Sequence, residues 1–291
     1  MLPPRKLLTA ALALALSAAG ACAVAAEAAD AAPRRVVSMN VCTDQLAMLL
    51  AEEGQLYSVS RFAGDAETSV LADRAGRYVV NHGRAEEIFL LRPDLVLAGT
   101  FTARATVGML QRLGFRVEIF APESSFADIR TSILRMGSLL GAASRASVIV
   151  AAFDAEAARI EAGRPAEKPL AALYYANSYT SGSGTLPAEV VEHAGFENLG
   201  SKLGLAGSVK LPLELLVMSK PDLVITGRRF GTASSEATAI LEHPALLAAG
   251  RRGRQMVIPD RYWICGLPFT LEAVRRLAAT AHAIGKGGRT R

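Results

Sequence analysis

Short apolar runs alternate with longer amphipathic segments along most of the chain. The first runs, residues 34–38, 56–60 and 78–80, predict strands, because runs of about five apolar residues suit a buried parallel sheet. Segments such as residues 45–52, with Thr43 or Asp44 as the expected cap, predict the intervening helices. This alternation predicts an α/β fold with helices packed outside a parallel sheet.

One helix–strand unit occurs twice. Residues 86–99 and 214–227 each run from a Glu through an apolar stretch to a basic residue, a Pro-Asp pair, an apolar strand and a Gly. Subtracting 86 from 214 gives a spacing of 128 residues, which the Pro-Asp pairs share. Proline disfavours helix at the residue before it, so each copy predicts a helix, a stop and a strand. The duplication predicts two similar α/β lobes, with chance similarity as the alternative.

The alternation stops between residues 125 and 163, which contain no proline and predict helix interrupted near Gly141. A helix of about 20 residues spans about 30 Å, the width of a domain. We therefore expect residues 143–164 to form a helix that bridges the two lobes. The domains that follow from this are an N-terminal lobe over residues 34–142, a C-terminal lobe over residues 165–284 and a tail over residues 285–291. A polar loop is expected over residues 177–184.

The N-terminus has the composition of an export signal. Arg5 and Lys6 precede a long uncharged Ala- and Leu-rich stretch that ends in small residues, which predicts a signal peptide over residues 1–26 and a linker over residues 27–33. A retained anchor and a lipid on Cys22 are the less favoured alternatives. Removal of the signal lowers the formal net charge from +5 to about +3, too little to predict nucleic-acid binding.

Signatures of catalysis are scarce. The four histidines share no metal-ligand spacing, so no metal site is expected, and no phosphate-binding Gly loop follows the first strand. Cys42 with His82, and Asp44 as the nearby acid, is the one arrangement that suits nucleophilic catalysis. No catalytic residues are therefore predicted, and a secreted α/β hydrolase or transferase using Cys42 and His82 remains the alternative function.

Polar and aromatic residues follow many of the predicted strands. Ligands of open α/β sheets bind at the carboxyl ends of the strands, and aromatic rings beside hydroxyl and guanidinium groups suit a large planar or anionic ligand. For any one residue an ordinary loop role is the alternative, and His82 is as well suited to a loop hydrogen bond. The predicted ligand-binding residues are Asn40, Cys42, Thr43, Phe62, His82, Arg84, Thr100, Phe101, Tyr179, Thr180, Arg228, Arg229, Phe230, Tyr262 and Trp263.

In order and spacing, five motifs resemble those of the periplasmic substrate-binding proteins of ABC importers, in the class that serves vitamin B12, iron–siderophores and haem. The resemblance covers about residues 34–284. It implies two Rossmann-like lobes with parallel sheets, joined by one long bridging helix, with the ligand between them. The motifs are Arg35-Val36-Val37-Ser38 with Thr43-Asp44, Glu86…Arg92-Pro93-Asp94-Leu95-Val96, Thr180-Ser181-Gly182, Gly195-Phe196-Glu197-Asn198 and Glu214…Lys220-Pro221-Asp222-Leu223-Val224.

The resemblance also implies a function and partners. It implies a periplasmic monomer without a cofactor of its own, which carries an iron or cobalt chelate to a permease dimer in the inner membrane. Glu86 and Glu214 match the glutamates that dock on arginines of the permease, one from each lobe. The choice among iron–siderophore, corrinoid and haem stays open, whereas the scarcity of histidine argues against the relatives that carry single Zn or Mn ions.

Cys42 and Cys265 are expected at the edge where the two lobes face each other. Because exported proteins rarely leave thiols exposed to an oxidising compartment, a disulfide between them is one expectation. Two buried free thiols, or a thiolate contact to a bound metal complex, are the alternatives.

Overall fold

The structure, a computed structural model, describes residues 32–227, 236–249 and 254–288. The first sheet is wholly parallel, with the strand order β3-β2-β1-β4-β5. β1 is the central strand and all three of its residues are buried, which explains why the apolar residues Val36 and Val37 are adjacent instead of alternating with polar ones. The strands are β1 (Val36–Ser38), β2 (Leu56–Ser60), β3 (Val79–Asn81), β4 (Leu95–Gly99) and β5 (Val117–Phe120).

Three α-helices lie between these strands: α1 (Val41–Leu50), α2 (Ala85–Leu91) and α3 (Arg104–Arg112). Two short 3₁₀ helices, Arg61–Gly64 and Ala72–Arg77, connect β2 to β3. α1 begins earlier than the predicted residue 45, and neither Thr43 nor Asp44 caps it. The cap is Asn40, whose side-chain oxygen accepts a hydrogen bond from the Cys42 N–H at 2.9 Å. The turn after β1 is therefore tighter than predicted, and the helix starts at the sheet edge.

Two long helices follow the first sheet: α4 (Phe126–Leu140) and α5 (Ala143–Ala162). Gly141 separates them with a φ of 72°, the left-handed conformation that commonly ends a helix. Phe126 of α4 and Phe153 of α5 meet edge to face with ring centroids 5.2 Å apart. Both rings belong to one hydrophobic core that contains residues of both parallel sheets, so these helices join the two halves of the molecule.

The second half begins after α5. Its strands are β6 (Leu170–Tyr174), β7 (Tyr179–Ser181), β8 (Glu197–Asn198), β9 (Ser208–Lys210), β10 (Leu223–Thr226) and β11 (Gln255–Val257). β6, β8, β10 and β11 form a parallel sheet in the order β11-β10-β6-β8. Its helices are α6 (Leu186–His193), α7 (Leu199–Lys202), α8 (Leu213–Met218), α9 (Glu236–Ala239), α10 (Pro244–Ala249) and α11 (Thr270–Gly288). We call the two halves, each with one parallel sheet, the first and second lobes.

The predicted fold class, two α/β lobes with parallel sheets and a long helix between them, is confirmed. The polar loop predicted over residues 177–184 is wrong in part, because residues 179–181 form β7. β7 pairs antiparallel with β9, and its central residue Thr180 is buried, which anchors a segment of polar composition. No helix among the described residues is long and apolar enough to cross a membrane.

The duplicated segments fold in the same way. Arg92 and Lys220, 128 residues apart, both adopt left-handed backbone with φ values of 48° and 47°, which turns the chain from the helix into the Pro-Asp pair. The Asp94 carboxylate accepts hydrogen bonds from the Arg34 and Arg35 N–H groups at the entrance to β1. The Asp222 carboxylate accepts from the Leu170 N–H at the start of β6.

Candidate functional site

The strand order of the first sheet creates a crevice at its centre. β2 and β4 flank β1 on opposite sides, so the connections that leave the carboxyl ends of β1 and β4 diverge. Such a switch point is where open α/β sheets bind ligands. Asn40 follows β1 here, and Gly99 ends β4 so close to the Asn40 amide that a Cβ at residue 99 would lie 2.9 Å from Asn40 Nδ2. Glycine is needed for that approach.

The ends of β4 and β5 form the neighbouring wall. The Thr100 N–H and hydroxyl both donate to the Phe120 carbonyl, at 2.9 and 3.2 Å, which ties the two strand ends together. Phe120 is buried, whereas Phe101 is 85% exposed. An aromatic ring so exposed at the mouth of a crevice offers a face on which a planar ligand can stack.

The second lobe contributes a loop that closes this crevice from the opposite side. Cys265 of the loop is joined to Cys42 of α1 by a disulfide. The Gln45 side-chain amide donates to the Cys265 sulfur at 3.8 Å, and the Gly266 N–H donates to the Glu123 carboxylate at 3.3 Å. The loop is therefore attached to the first lobe at several points.

The two walls enclose a cavity of about 350 Å³, within the range of small-molecule sites. We call it the cleft. Apart from Glu123, its described lining carries no ionisable side chain. The Cys42 sulfur does not titrate, because it is bonded to the Cys265 sulfur. It is lined by Asn40, Val41, Cys42, Thr43, Leu46, Gly99, Thr100, Phe101, Phe120, Ala121, Pro122, Glu123, Ile264, Gly266 and Leu267.

Glu123 is the charged group of the cleft. Burial raises the pKa of its carboxyl group, and the nearby Asp128 acts in the same direction. Hydrogen bonds from the Ser132 hydroxyl, the backbone N–H of Glu123 itself and the Gly266 N–H oppose that rise in pKa. A side chain at Gly266 would collide with Glu123, so the glycine is required for this contact between the lobes.

Five of the predicted ligand-binding residues line the cleft: Asn40, Cys42, Thr43, Thr100 and Phe101. The Thr43 side chain is nevertheless buried, and its hydroxyl bonds to the Ser38 hydroxyl and the Asn40 carbonyl. Its contribution is therefore to hold the turn after β1 in place.

Trp263 and Thr180 lie elsewhere, and the structure corrects their predicted placement. Trp263 is only 6% exposed and packs in the core, edge to face with Tyr175. Thr180 is fully buried, and its hydroxyl donates to the Leu173 carbonyl at 2.7 Å. Both residues follow strands as predicted, but their side chains turn inward.

The predicted residues beside β2 and β3 are also not among those lining the cleft. His82 follows the outermost strand of the first sheet, and its backbone N–H and ring both bond to Glu87. Arg84 precedes α2 as its exposed cap residue. The Phe62 ring lies under the Arg61 guanidinium, 4.5 Å from it.

In the second lobe, Tyr179 belongs to β7, and the Tyr262 ring is flanked by the guanidinium groups of Arg261 and Arg276. Neither lines the cleft. Arg228, Arg229 and Phe230 fall outside the described residues, as does the predicted signal peptide.

The end of β5 and the segment after it also line the cleft, although none of their residues is among the predicted ligand-binding residues. Phe120 ends β5, and Pro122 and Glu123 follow it, at the same edge of the sheet as Asn40 and Thr100. The reasoning that selected residues at the carboxyl ends of strands therefore applies to them as well. Ile264 and Gly266 lie next to Cys265, and only the pairing of Cys265 with Cys42 brings them to the cleft.

A second depression, of about 520 Å³, is polar and lies beside the end of α5. Its arginine, Arg164, already pairs with Glu161 and donates to the His193 carbonyl. Among the described residues, no three His, Cys, Asp or Glu side chains cluster as metal ligands do.

The two glutamates of the duplicated segments lie on the surface. Glu86 is in the first turn of α2, Glu214 is in the first turn of α8, and both are exposed. Four residues after each is a large apolar side chain, Leu90 at 76% exposure and Met218 at 75%. Residues four apart share one face of a helix, so each lobe presents a carboxylate beside an exposed apolar group.

Comparison with known proteins gives one family and one fold. The model of a family described as periplasmic binding protein matches residues 36–262. A search of curated proteins found no significant match.

Solved structures resemble the chain over most of its length. The periplasmic heme-binding protein RhuT from Roseiflexus sp. RS-1 is 20% identical, with a TM-score of 0.71 over 87% of this chain and 99% of that one. A structure described as an ABC-type Fe3+-hydroxamate transport system from Saccharomonospora viridis is 20% identical, with a TM-score of 0.66 over 86% of this chain and 94% of that one. The periplasmic vitamin B12 binding protein BtuF of Vibrio cholerae is 18% identical, with a TM-score of 0.62 over 87% of this chain and 98% of that one. At these identities the similarity shows the fold.

Proposed function

The chain belongs to the periplasmic binding protein family, and we propose that it captures a metal chelate between its lobes and delivers it to an ABC permease. The observation that carries this proposal is the cleft, about 350 Å³ of mostly apolar space at the switch point of the first sheet. A loop of the second lobe closes it, so a ligand there would touch both lobes.

The chemistry of the lining supports an iron or cobalt chelate as the cargo. Apolar walls and the exposed Phe101 ring suit a ligand with large flat or apolar faces, whereas a bare metal ion needs several charged or imidazole ligands. Structural relatives named for heme binding, Fe3+-hydroxamate transport and vitamin B12 binding support the same class.

The hydrolase or transferase alternative is less well supported. It requires a free thiolate at Cys42, and the Cys42 sulfur is bonded to Cys265. The ring of His82, its proposed base, bonds to Glu87 at 3.1 Å.

Ligand binding can be tested directly. The mature protein, purified from its native host under mild conditions, would be examined by ultraviolet–visible spectroscopy and native mass spectrometry. The same protein, freed of ligand, would then be titrated with haemin, a ferric trishydroxamate and cyanocobalamin. We expect one of these chelates to bind with one-to-one stoichiometry; failure of all three would refute the proposal.

We also propose that Glu86 and Glu214 dock the protein on a permease dimer. Two matching carboxylates on a duplicated fold suit a partner that presents two equivalent sites. The exposed side chains Leu90 and Met218 extend each contact, because an apolar group beside a charged one is typical of protein interfaces. An exposed ion pair contributes about 0.2–1 kcal/mol, and more where docking removes water.

The docking test is the charge reversal of both glutamates, Glu86→Lys/Glu214→Lys. We expect uptake of the cargo to fall while its affinity for the binding protein stays nearly unchanged. Glu53→Lys/Glu167→Lys, at exposed positions outside the duplicated helices, is the matched control. Normal uptake by the first pair would refute the docking proposal.

Export to the periplasm is part of the same proposal. The charged and apolar pattern of residues 1–26 supports a signal peptide that is removed. Intact-mass measurement of the native protein tests this, since cleavage near residue 26 leaves a shorter chain and lipidation of Cys22 adds the mass of acyl chains.

A further inference from the structure

Glu123 is placed where a bound ligand would meet its charge. It follows β5 at the carboxyl edge of the first sheet and lines the cleft, and its carboxylate accepts from the Gly266 N–H on the second lobe. A carboxylate offers about four acceptor positions, and hydrogen bonds from Ser132, from Gly266 and from the backbone N–H of Glu123 itself occupy three of them. The group can therefore still accept a hydrogen bond from a ligand or face its positive charge.

Among the residues that the structure describes, no positive side chain balances this carboxylate within the cleft. The lining contains no Lys, Arg or His in that part of the chain, and most of its other members are apolar. In such surroundings the effective dielectric is lower than in water, so a ligand charge interacts strongly with the carboxylate. An anionic ligand would also lose hydration at this part of the cleft without gaining a positively charged partner among the described lining residues.

We propose that the cleft selects chelates by charge, favouring neutral or positively charged complexes over anionic ones, and that Glu123 is the residue that discriminates. This rests on the proposed function, since it names the class of chelate that the same site takes. Tris-hydroxamate complexes and cobalamins belong to the favoured class, whereas tricatecholate and citrate complexes of ferric iron belong to the disfavoured one.

Matched pairs of chelates test this whichever chelate the protein carries. Ferrioxamine B carries a free ammonium group that its N-acetyl derivative lacks. Aquocobalamin is positively charged and cyanocobalamin is neutral, and haemin carries two carboxylates that its dimethyl ester lacks. Affinities for all six would be measured at neutral pH with the full mature protein.

We expect the more positive member of each bound pair to bind at least about threefold more tightly. The free energy that corresponds to this ratio is a modest fraction of the Coulomb energy between two charges at short range. The isosteric variant Glu123→Gln should reduce that ratio towards one. The control is Glu118→Gln, on the β5 strand that precedes Glu123. Glu118 pairs with Arg116 and Arg135 and does not line the cleft, so this variant should leave the ratio unchanged.

The outcomes separate the two proposals. If none of the six chelates binds, the proposed function fails. If a chelate class binds but the more negative member is preferred, or the ratio is the same in Glu123→Gln and wild type, selection by Glu123 is refuted while the binding function stands.

Discussion

Asp44 is a fully buried carboxyl group in the first turn of α1. Its oxygens accept hydrogen bonds from the Ser60 N–H at 3.1 Å and the Ser60 hydroxyl at 2.6 Å. Burial outweighs these bonds and raises the pKa of Asp44 to about 7. In the unfolded chain the pKa of an Asp is about 4. The folded state therefore holds a proton that the unfolded state has lost between these two pH values.

The first prediction concerns pH. Because the native state binds more protons between about pH 4 and pH 7, the free energy of unfolding should fall as pH rises through that window, by up to about 4 kcal/mol from this group. Asp44→Asn should remove this part of the pH dependence. Urea unfolding at several pH values measures it, with the exposed Asp73→Asn as control. Identical pH profiles for wild type and Asp44→Asn would contradict the prediction.

The second prediction concerns Trp263. Because its ring is buried in the core, Trp263→Ala should lower the free energy of unfolding by about 3–5 kcal/mol. Trp263→Phe keeps most of the packing, so it should cost much less. Thermal unfolding measures these losses, and a chelate titration of Trp263→Phe tests whether the ring contacts the ligand as the sequence pattern predicts. A large loss of affinity in a stable Trp263→Phe protein would restore that expectation.

Residues of the site could be predicted from sequence only by one rule, which is that ligands bind at the carboxyl ends of the strands in open α/β sheets. The rule correctly brought Asn40, Thr100 and Phe101 to one edge of the sheet, because the carboxyl ends of parallel strands lie together. It says nothing about the direction of a side chain, so Trp263 and Thr180 were misplaced. Those directions depend on packing that no local pattern encodes.

At the scale of elements, the duplicated unit of helix, left-handed residue, Pro-Asp and strand is the clearest link between sequence and structure. The stop before each proline could be predicted from steric rules. The left-handed backbone at Arg92 and Lys220 could not, because neither residue type favours it. The Asp of each Pro-Asp pair has a structural role in its own lobe. Its carboxylate accepts a hydrogen bond from the backbone N–H at the entrance to the first strand of that lobe.

The third prediction follows from that backbone. A left-handed conformation costs a non-glycine residue about 1–2 kcal/mol, and glycine loses about 0.5–1 kcal/mol through its greater freedom when unfolded. Arg92→Gly and Lys220→Gly should therefore each be neutral or stabilising by up to about 1.5 kcal/mol. Ala155→Gly, at an exposed position in the interior of α5, should instead lose about 1 kcal/mol. Chemical unfolding of the three variants measures these changes in the free energy of unfolding. Equal losses of stability in all three would contradict the prediction.

Elements with a strong apolar period were predicted well, and those held by tertiary contacts were not. β2 occupies the predicted residues 56–60, and the break at Gly141 divides two helices as expected. β7 and β8 are short and polar, and they exist because neighbouring strands supply their partners. Such partners come from distant parts of the chain, which local reasoning does not see.

At the scale of the whole molecule, the two lobes meet through a few specific contacts as well as a shared core. The disulfide joins α1 to the loop after β11, Glu123 accepts from Gly266, and the Arg261 guanidinium donates to the Ala66 carbonyl. α4 and α5 contribute their apolar faces to a core that includes both sheets. These connections favour small relative movements of the lobes over a wide opening, since each would have to break for the cleft to open fully.

The last prediction concerns the disulfide. Cys42 and Cys265 are 223 residues apart, and closing a loop of that length removes enough entropy from the unfolded chain to stabilise the fold by up to about 5 kcal/mol. Cys42→Ser, Cys265→Ser and the double variant should lose similar amounts of stability, because any one of them removes the whole bridge. Each variant should also bind its chelate more weakly, because Cys42, Ile264 and Gly266 line the cleft.

Thermal unfolding of the three variants and alkylation of the denatured mature protein test this together. A bridged protein takes up no alkylating reagent at these two positions until it is reduced. Two labelled cysteines before reduction, or small and additive losses in the two single variants, would show free thiols instead. In that case the contact between Glu123 and Gly266 would have to hold the loop against the first lobe, and Glu123→Gln would destabilise the protein as well as change its preference for chelates.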